Sequence, residues 1–166
     1  MKNTITSEKL DDRLLTDILV DQVPGIPNAV ATSLSSTHRV RRYDAGDLIV
    51  CEGEASSGIF VLICGTVRVL VSKWSKQVTL HETTAPAVLG LTAAMLAQPS
   101  SFTLLAVTQI ETAFIPRVEF LGALGQFPQA GLAFSQLIAN ELADTYAQLS
   151  ELRSSTRSLS VSLPAS

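Results

Sequence analysis

Apolar residues near the start of the chain recur at helical spacing. Leu10, Leu14, Leu15, Ile18 and Leu19 fall on one face of a helix predicted over residues 8–20, with Ser7 as a candidate N-cap. Pro24-Gly25-Ile26-Pro27 stops it, and residues 28–35 form a second short helical pattern capped by Asn28. From Arg39 the apolar period becomes that of a strand. Residues 41–47 read as a turn, 48–51 as a short strand and 52–58 as another turn. An apolar run over 59–64 ends at Gly65; beyond it Val67, Val69 and Val71 alternate with polar residues, and Val78 and Leu80 alternate within 76–81. Residues 87–90, 102–108 and 110–115 complete the series. Short strands at close spacing, separated by turn signals, predict an antiparallel sandwich or barrel.

Helical spacing returns after Arg117. Phe120, Leu121 and Leu124 fit a short helix ended by Gly125, and Pro128 suits the first turn of a long one. Along that helix Ile138, Leu142, Thr145, Leu149 and Leu152 follow alternating steps of four and three. Such a seam, short of three heptads, predicts a homodimer interface. The expected organisation is an N-terminal tail and helix at 1–25, a β-rich unit with flanking helices at 26–127, a dimerisation helix at 128–153 and a loose polar tail at 154–166.

Composition narrows the function classes. The chain has 166 residues, 46% of them hydrophobic, and a formal charge of -3. That is enough apolar chain for one packed core and too little positive charge for a nucleic-acid-binding field. No apolar stretch reaches the 18 or so residues a membrane span needs, and the N-terminus lacks a secretory h-region, so a cytoplasmic location is expected. Cys51 and Cys64 lie in apolar surroundings and read as buried, inert thiols. His38 and His81 are the only histidines, too few for a cupin-like metal centre. No metal site and no catalytic constellation is expected, so the chain reads as a non-enzyme. Trp74, between Lys73 and Lys76 at a hairpin tip, is expected to fold back on its hairpin, and Arg39, Arg41 and Arg42 to form a solvated strand face.

Several spaced features carry a family resemblance. They are Tyr43, Gly46 and Gly53; then Gly65 after Ile59-Phe60-Val61-Leu62-Ile63, with Val67 and Val69 beyond; then Gly90, Ala106-Val107-Thr108, Ile115, Phe120, Leu124 and Pro128. In this order, over about residues 25–153, the chain resembles a cyclic-nucleotide-binding domain, specifically the sensor half of Crp/Fnr-type bacterial transcription regulators. The resemblance implies a mainly β fold with α: an antiparallel β-roll or jelly roll with short N-terminal helices and a long C-terminal dimerisation helix. It implies a regulatory role exercised through that helix. Such regulators continue into a helix-turn-helix domain; nothing after Arg153 here fits a recognition helix, so this chain is not expected to bind DNA.

The resemblance also implies a phosphate cassette. In the family a Gly-Glu pair opens it, the Glu holds the ribose 2′-hydroxyl, backbone N–H groups cradle the phosphate and an Arg near the end pairs with it. Here Gly90 is present, Leu91 stands at the Glu position, and Ser100 and Ser101 stand near the Arg position. Residues 77–116 contain no Arg or Lys at all. A charge-assisted hydrogen bond is worth roughly 1.5–3 kcal/mol, so loss of the Arg alone weakens phosphate binding about tenfold to over a hundredfold. A cyclic nucleotide is therefore disfavoured, and no cofactor is expected. The candidate pocket is Gly90, Leu91, Thr92, Ala93, Ser100, Ser101 and Phe102, collapsed on Leu91 and Phe102 or altered to take another small molecule. Thr145 is either a polar seam residue or a ligand contact, since cyclic-AMP-binding relatives can place a Thr there against the adenine. The alternatives are a ligand-free interaction domain recruiting a partner through the seam and the Trp74 hairpin, or a truncated regulator that still binds a cyclic nucleotide.

Overall fold

A computed structural model describes residues 4–5 and 10–161. Two antiparallel sheets form a roll. The first orders its strands β1 (Thr4–Ile5), β2 (Arg39–Tyr43), β9 (Ile110–Pro116), β4 (Gly58–Cys64) and β7 (Ala87–Leu89). The second orders β3 (Leu48–Val50), β8 (Thr103–Ala106), β5 (Thr66–Lys73) and β6 (Lys76–Thr84). Helices α1 (Asp12–Gln22), α2 (Asn28–Ser36), α4 (Arg117–Gln126) and the start of α5 (Pro128–Val161) cover the outer face of the first sheet, and α3 (Leu91–Leu96) follows β7.

Strand β4 shows why the apolar run over 59–64 is continuous. Successive side chains on a strand point to opposite faces. Ile59 and Val61 enter a core shared with Leu19, Leu34, Phe120 and Phe134, while Phe60 and Leu62 enter the roll interior with Tyr43, Val67, Leu104 and Phe114. Both faces are buried, so the usual polar alternation is lost. Phe120 and Phe134 lock α4 to α5 edge-to-face at a centroid distance of 5.0 Å. His38 is buried where the helices meet the roll: its Nε2 accepts the Leu10 N–H at 3.0 Å and its Nδ1 donates to the Ser35 carbonyl.

The start of β4 is constrained further. A Cβ on Gly58 would lie 2.2 Å from the Ile115 carbonyl oxygen and 2.9 Å from the Phe114 ring, so β4 and β9 close there only because position 58 carries no side chain.

Several local expectations differ from the structure. Helix α1 starts at Asp12, with Asp11 Oδ1 accepting the Arg13 N–H at 3.0 Å as its cap; Ser7 lies outside the described residues. Helix α2 has Pro27 at its N-cap and no side-chain cap bond, so Asn28 is already helical. Residues 41–43 are strand, not turn, because β2 pairs with β9 in the register Arg41↔Thr112 and Tyr43↔Ile110. Helix α5 runs on to Val161 through part of the expected tail. There the hydroxyls of Ser154 and Ser155 bond back to the carbonyls of Ser150 and Glu151 at 3.0 Å, an arrangement compatible with helix. Residues 162–166 lie outside the described residues, as does most of the expected tail at 1–7. Of that tail, Thr4–Ile5 pairs with β2.

Candidate functional site

The segment expected to form the cassette lies between β7 and β8. Gly90, at φ 78° in the left-handed region, makes the turn from β7 into the six-residue α3. The rest of the segment is tied down on two sides. Arg117 Nε donates to the Ala94 carbonyl at 2.8 Å, holding α3 to the start of α4. Ser100 and the 53–54 turn exchange two backbone bonds of 2.8 Å, Gly53 N–H to Ser100 O and Ser100 N–H to Glu54 O. The Ser100 hydroxyl donates to the Phe102 carbonyl at 2.7 Å.

Three cavities meet at Gly90. A cavity of about 130 Å³ brings together Gly90, Leu91, Thr92, Ala93, Ser100, Ser101 and Phe102, with Glu141 and Leu142 of α5 closing it. Thr145 is not there. It lines a second cavity of about 240 Å³ with His81, Thr83, Phe102 and Glu141, and its hydroxyl donates to the Glu141 carbonyl at 2.8 Å. A third cavity of about 140 Å³ lies against β2, lined by Arg41, Tyr43, Glu54, Ser56, Ser57, Phe60 and Ser100. These cavities leave space on three sides of Gly90. Leu91 borders the first cavity, is 1% exposed and belongs to the helix-backed core with Ala94.

Three residues that shape these cavities were not expected from the sequence. Arg41 points into the roll beside Tyr43, its guanidinium carbon 3.6 Å from the Phe114 ring centroid, and is not on a solvated face. The signal was available: Arg41 and Tyr43 are two apart on one strand, so a buried Tyr43 places Arg41 on the inner face. Burial pushes the Tyr43 hydroxyl above its ordinary pKa, against the lowering effect of its hydrogen bond with Arg41. Glu54 lines the same cavity and accepts the Cys51 N–H at 2.9 Å. Glu141 lies one helical turn before Thr145; the residue is exposed overall, and partial desolvation of its carboxyl against the roll, with Asp144 as a second cause, raises its pKa to about 7.

The seam residues divide. Ile138 packs partly against the helix-backed core, Leu149 is half-buried, and Leu142 (41%), Tyr146 (69%) and Leu152 (37%) are exposed. Two further expectations are corrected. Cys51 and Cys64 are exposed, Cys51 beyond the end of β3 and Cys64 at a register shift in the β4–β9 pairing. Trp74 is 87% exposed: it and Ser75 form the β5–β6 turn with φ of 54° and 62°, which carries the indole off the hairpin. His81 sits half-buried on β6, its Nδ1 3.1 Å from Gln148 Oε1 of α5. Among the described residues no group of three His, Cys, Asp or Glu is placed to hold a metal, and no helix is long and apolar enough to cross a membrane.

The two-sheet roll, the turn at Gly90 and the closing helix have the outline of a cyclic-nucleotide-binding domain. The family model for the cyclic nucleotide-binding domain matches residues 40–127, more than half of the 166-residue chain, and the chain belongs to that family. No curated protein matches it. Among solved structures, a candidate cyclic nucleotide binding protein from Ruegeria pomeroyi DSS-3 aligns at 21% identity and a TM-score of 0.68, covering 86% of this chain and 64% of that one. The catabolite activator protein of Thermus thermophilus aligns at 20% identity and 0.68, covering 82% of this chain and 63% of that one. A cyclic nucleotide-binding domain from Methylobacillus flagellatus KT aligns at 17% and 0.70, covering 93% and 85%. At these identities the likeness is one of fold, and the chain spans just under two thirds of the first two of these proteins.

Proposed function

We propose that this chain is a regulatory sensor domain whose cassette has lost its grip on the sugar-phosphate of a cyclic nucleotide, and that it signals as a homodimer through α5. One observation carries the reading. At the two handle positions, Leu91 is buried in the helix-backed core and the Ser100 hydroxyl is engaged by the Phe102 carbonyl, so neither offers an ionic contact to a ligand. The open cavities around Gly90 favour a ligand-responsive domain over a ligand-free one. Glu141 and Leu142 of α5 close one of them, so an occupant would bias the helix directly, and Leu142, Leu149 and Leu152 supply its apolar seam toward a second copy.

Calorimetric titration with cyclic AMP and cyclic GMP tests the first half, and sedimentation equilibrium on the same samples the second. The expected result is dissociation constants weaker than about 10 µM for both nucleotides, with a two-chain mass. Tighter binding of either nucleotide refutes the divergent cassette; a one-chain mass refutes the dimer.

A further inference from the structure

We infer that the roll contains a small-oxyanion site centred on Arg41, whose cation comes from outside the cassette segment that forms part of the wall. The argument starts from an arginine without a carboxylate. Arg42 and Arg68, both toward solvent, are each 2.8 Å from a carboxylate, Glu111 and Glu82. Among the described residues Arg41 has no carboxylate within 4.0 Å. Its contacts are the Phe114 ring at 3.6 Å, the Phe60 ring at 5.9 Å and the Tyr43 hydroxyl. The Phe114 ring lies against one face of the guanidinium, so N–H groups beyond the one that meets the Tyr43 hydroxyl can donate to a partner. A planar fork of five donors matches a carboxylate or phosphoryl group.

The cavity against that edge suits such a group. It holds about 140 Å³, on the order of five water volumes, room for a phosphate or a short carboxylate beside Arg41. Ser56, Ser57 and Ser100 line it with hydroxyl-bearing residues, and Gly90 brings backbone to its wall. Glu54 shares the lining, with its carboxylate held by the Cys51 N–H. That negative charge favours a monoanion over a dianion. The site's cation comes from β2, across the roll from Ser100, where the cassette handle would have been.

The inference deepens the reading of the domain as a ligand sensor, and its test fails separately from that reading. Nitrogen-15-labelled protein is titrated with sodium phosphate and, in parallel, sodium acetate at constant ionic strength, following the Arg41 Nε–H and Gly90 amide resonances. Saturable shifts of both signals, with dissociation constants of about 1–10 mM, are expected from at least one probe. The probe that saturates identifies the phosphoryl or the carboxylate form. Arg41→Gln weakens binding by about tenfold or more, Arg41→Lys by less because it keeps charge and loses the fork, and Arg42→Gln leaves it unchanged. No saturable shift from either probe overturns the site, as does binding that persists unchanged in both Arg41 variants. Arg41-dependent binding supports it whatever the nucleotide calorimetry gives.

Discussion

The two sides of Gly90 carry different ionisable groups. On the β2 side the cavity presents Arg41, stacked on Phe114, with Glu54 and three serines around it. On the α5 side the larger cavity presents Glu141 beside Thr145, Thr83 and His81, and its carboxyl stays protonated well above the ordinary carboxylate range. An anion is drawn to one side and repelled from the other once Glu141 ionises. A cassette bearing its own arginine would place the cation on the segment that joins the two cavities; here that segment is uncharged from Gly90 to Phe102. On the proposed reading the backbone turn at Gly90 stays while the ionisable groups around it come from β2, the turn before β4 and α5.

The largest effect on this arrangement comes from the point where both sides depend on β4. Gly58→Ala drives a methyl into the Ile115 carbonyl and the Phe114 ring, and Phe114 is the platform under Arg41. Neither backbone can yield without breaking the β4–β9 ladder. Destabilisation of about 4 kcal/mol or more is expected, a large share of the whole stability of an ordinary domain. Urea unfolding measures it; a loss under 1 kcal/mol would mean that the strands are looser here than the geometry states.

Leu91→Ala comes next and separates a structural leucine from a ligand contact. Leu91 is 1% exposed in the helix-backed core, so its truncation costs about 3 kcal/mol and lowers the melting temperature by roughly 10 °C. Anion binding on the Arg41 side should be unchanged within about twofold. A variant of normal stability with altered binding would instead place Leu91 in the ligand space.

Most of the roll was legible because its signals are local. Alternation fixed β5 and the first part of β6, the apolar run fixed β4, and Pro128 marked the start of α5. What the sequence hid depends on direction. Arg41-Arg42-Tyr43 looks like a basic turn until β9 pairs with it and one arginine turns inward while its neighbour pairs with Glu111 outside. Leu91 looked like a pocket plug because position alone does not say which face of a six-residue helix is buried. The serine-rich end of α5 lacks an apolar stripe, yet the Ser154 and Ser155 hydroxyls bond within the helix and do not break it. Cys64 sits in an apolar run but ends it at a register shift, which no periodicity reveals.

The smallest effect sharpens the charge contrast itself. Glu141 titrates near pH 7 in the folded chain, against 4.5 for its ordinary value, because its carboxyl is desolvated and Asp144 lies one turn away. Between those two pH values the folded state holds more protons than the unfolded one, so stability falls as pH rises from about 4.5 and levels off above about 7. Glu141→Gln removes that loss. Its melting temperature should match the parent at pH 4.5 and exceed it by about 1–2 °C at pH 8, a modest gain because solvent screens part of the interaction. His81 lines the same cavity, so the comparison is made in a His81→Gln background. Asp144→Asn, removing the lesser cause, should give a smaller gain of the same sign. A Glu141→Gln difference that does not grow with pH would mean that the carboxyl ionises as an ordinary surface group, and the α5 side of Gly90 would then be negative throughout the neutral range.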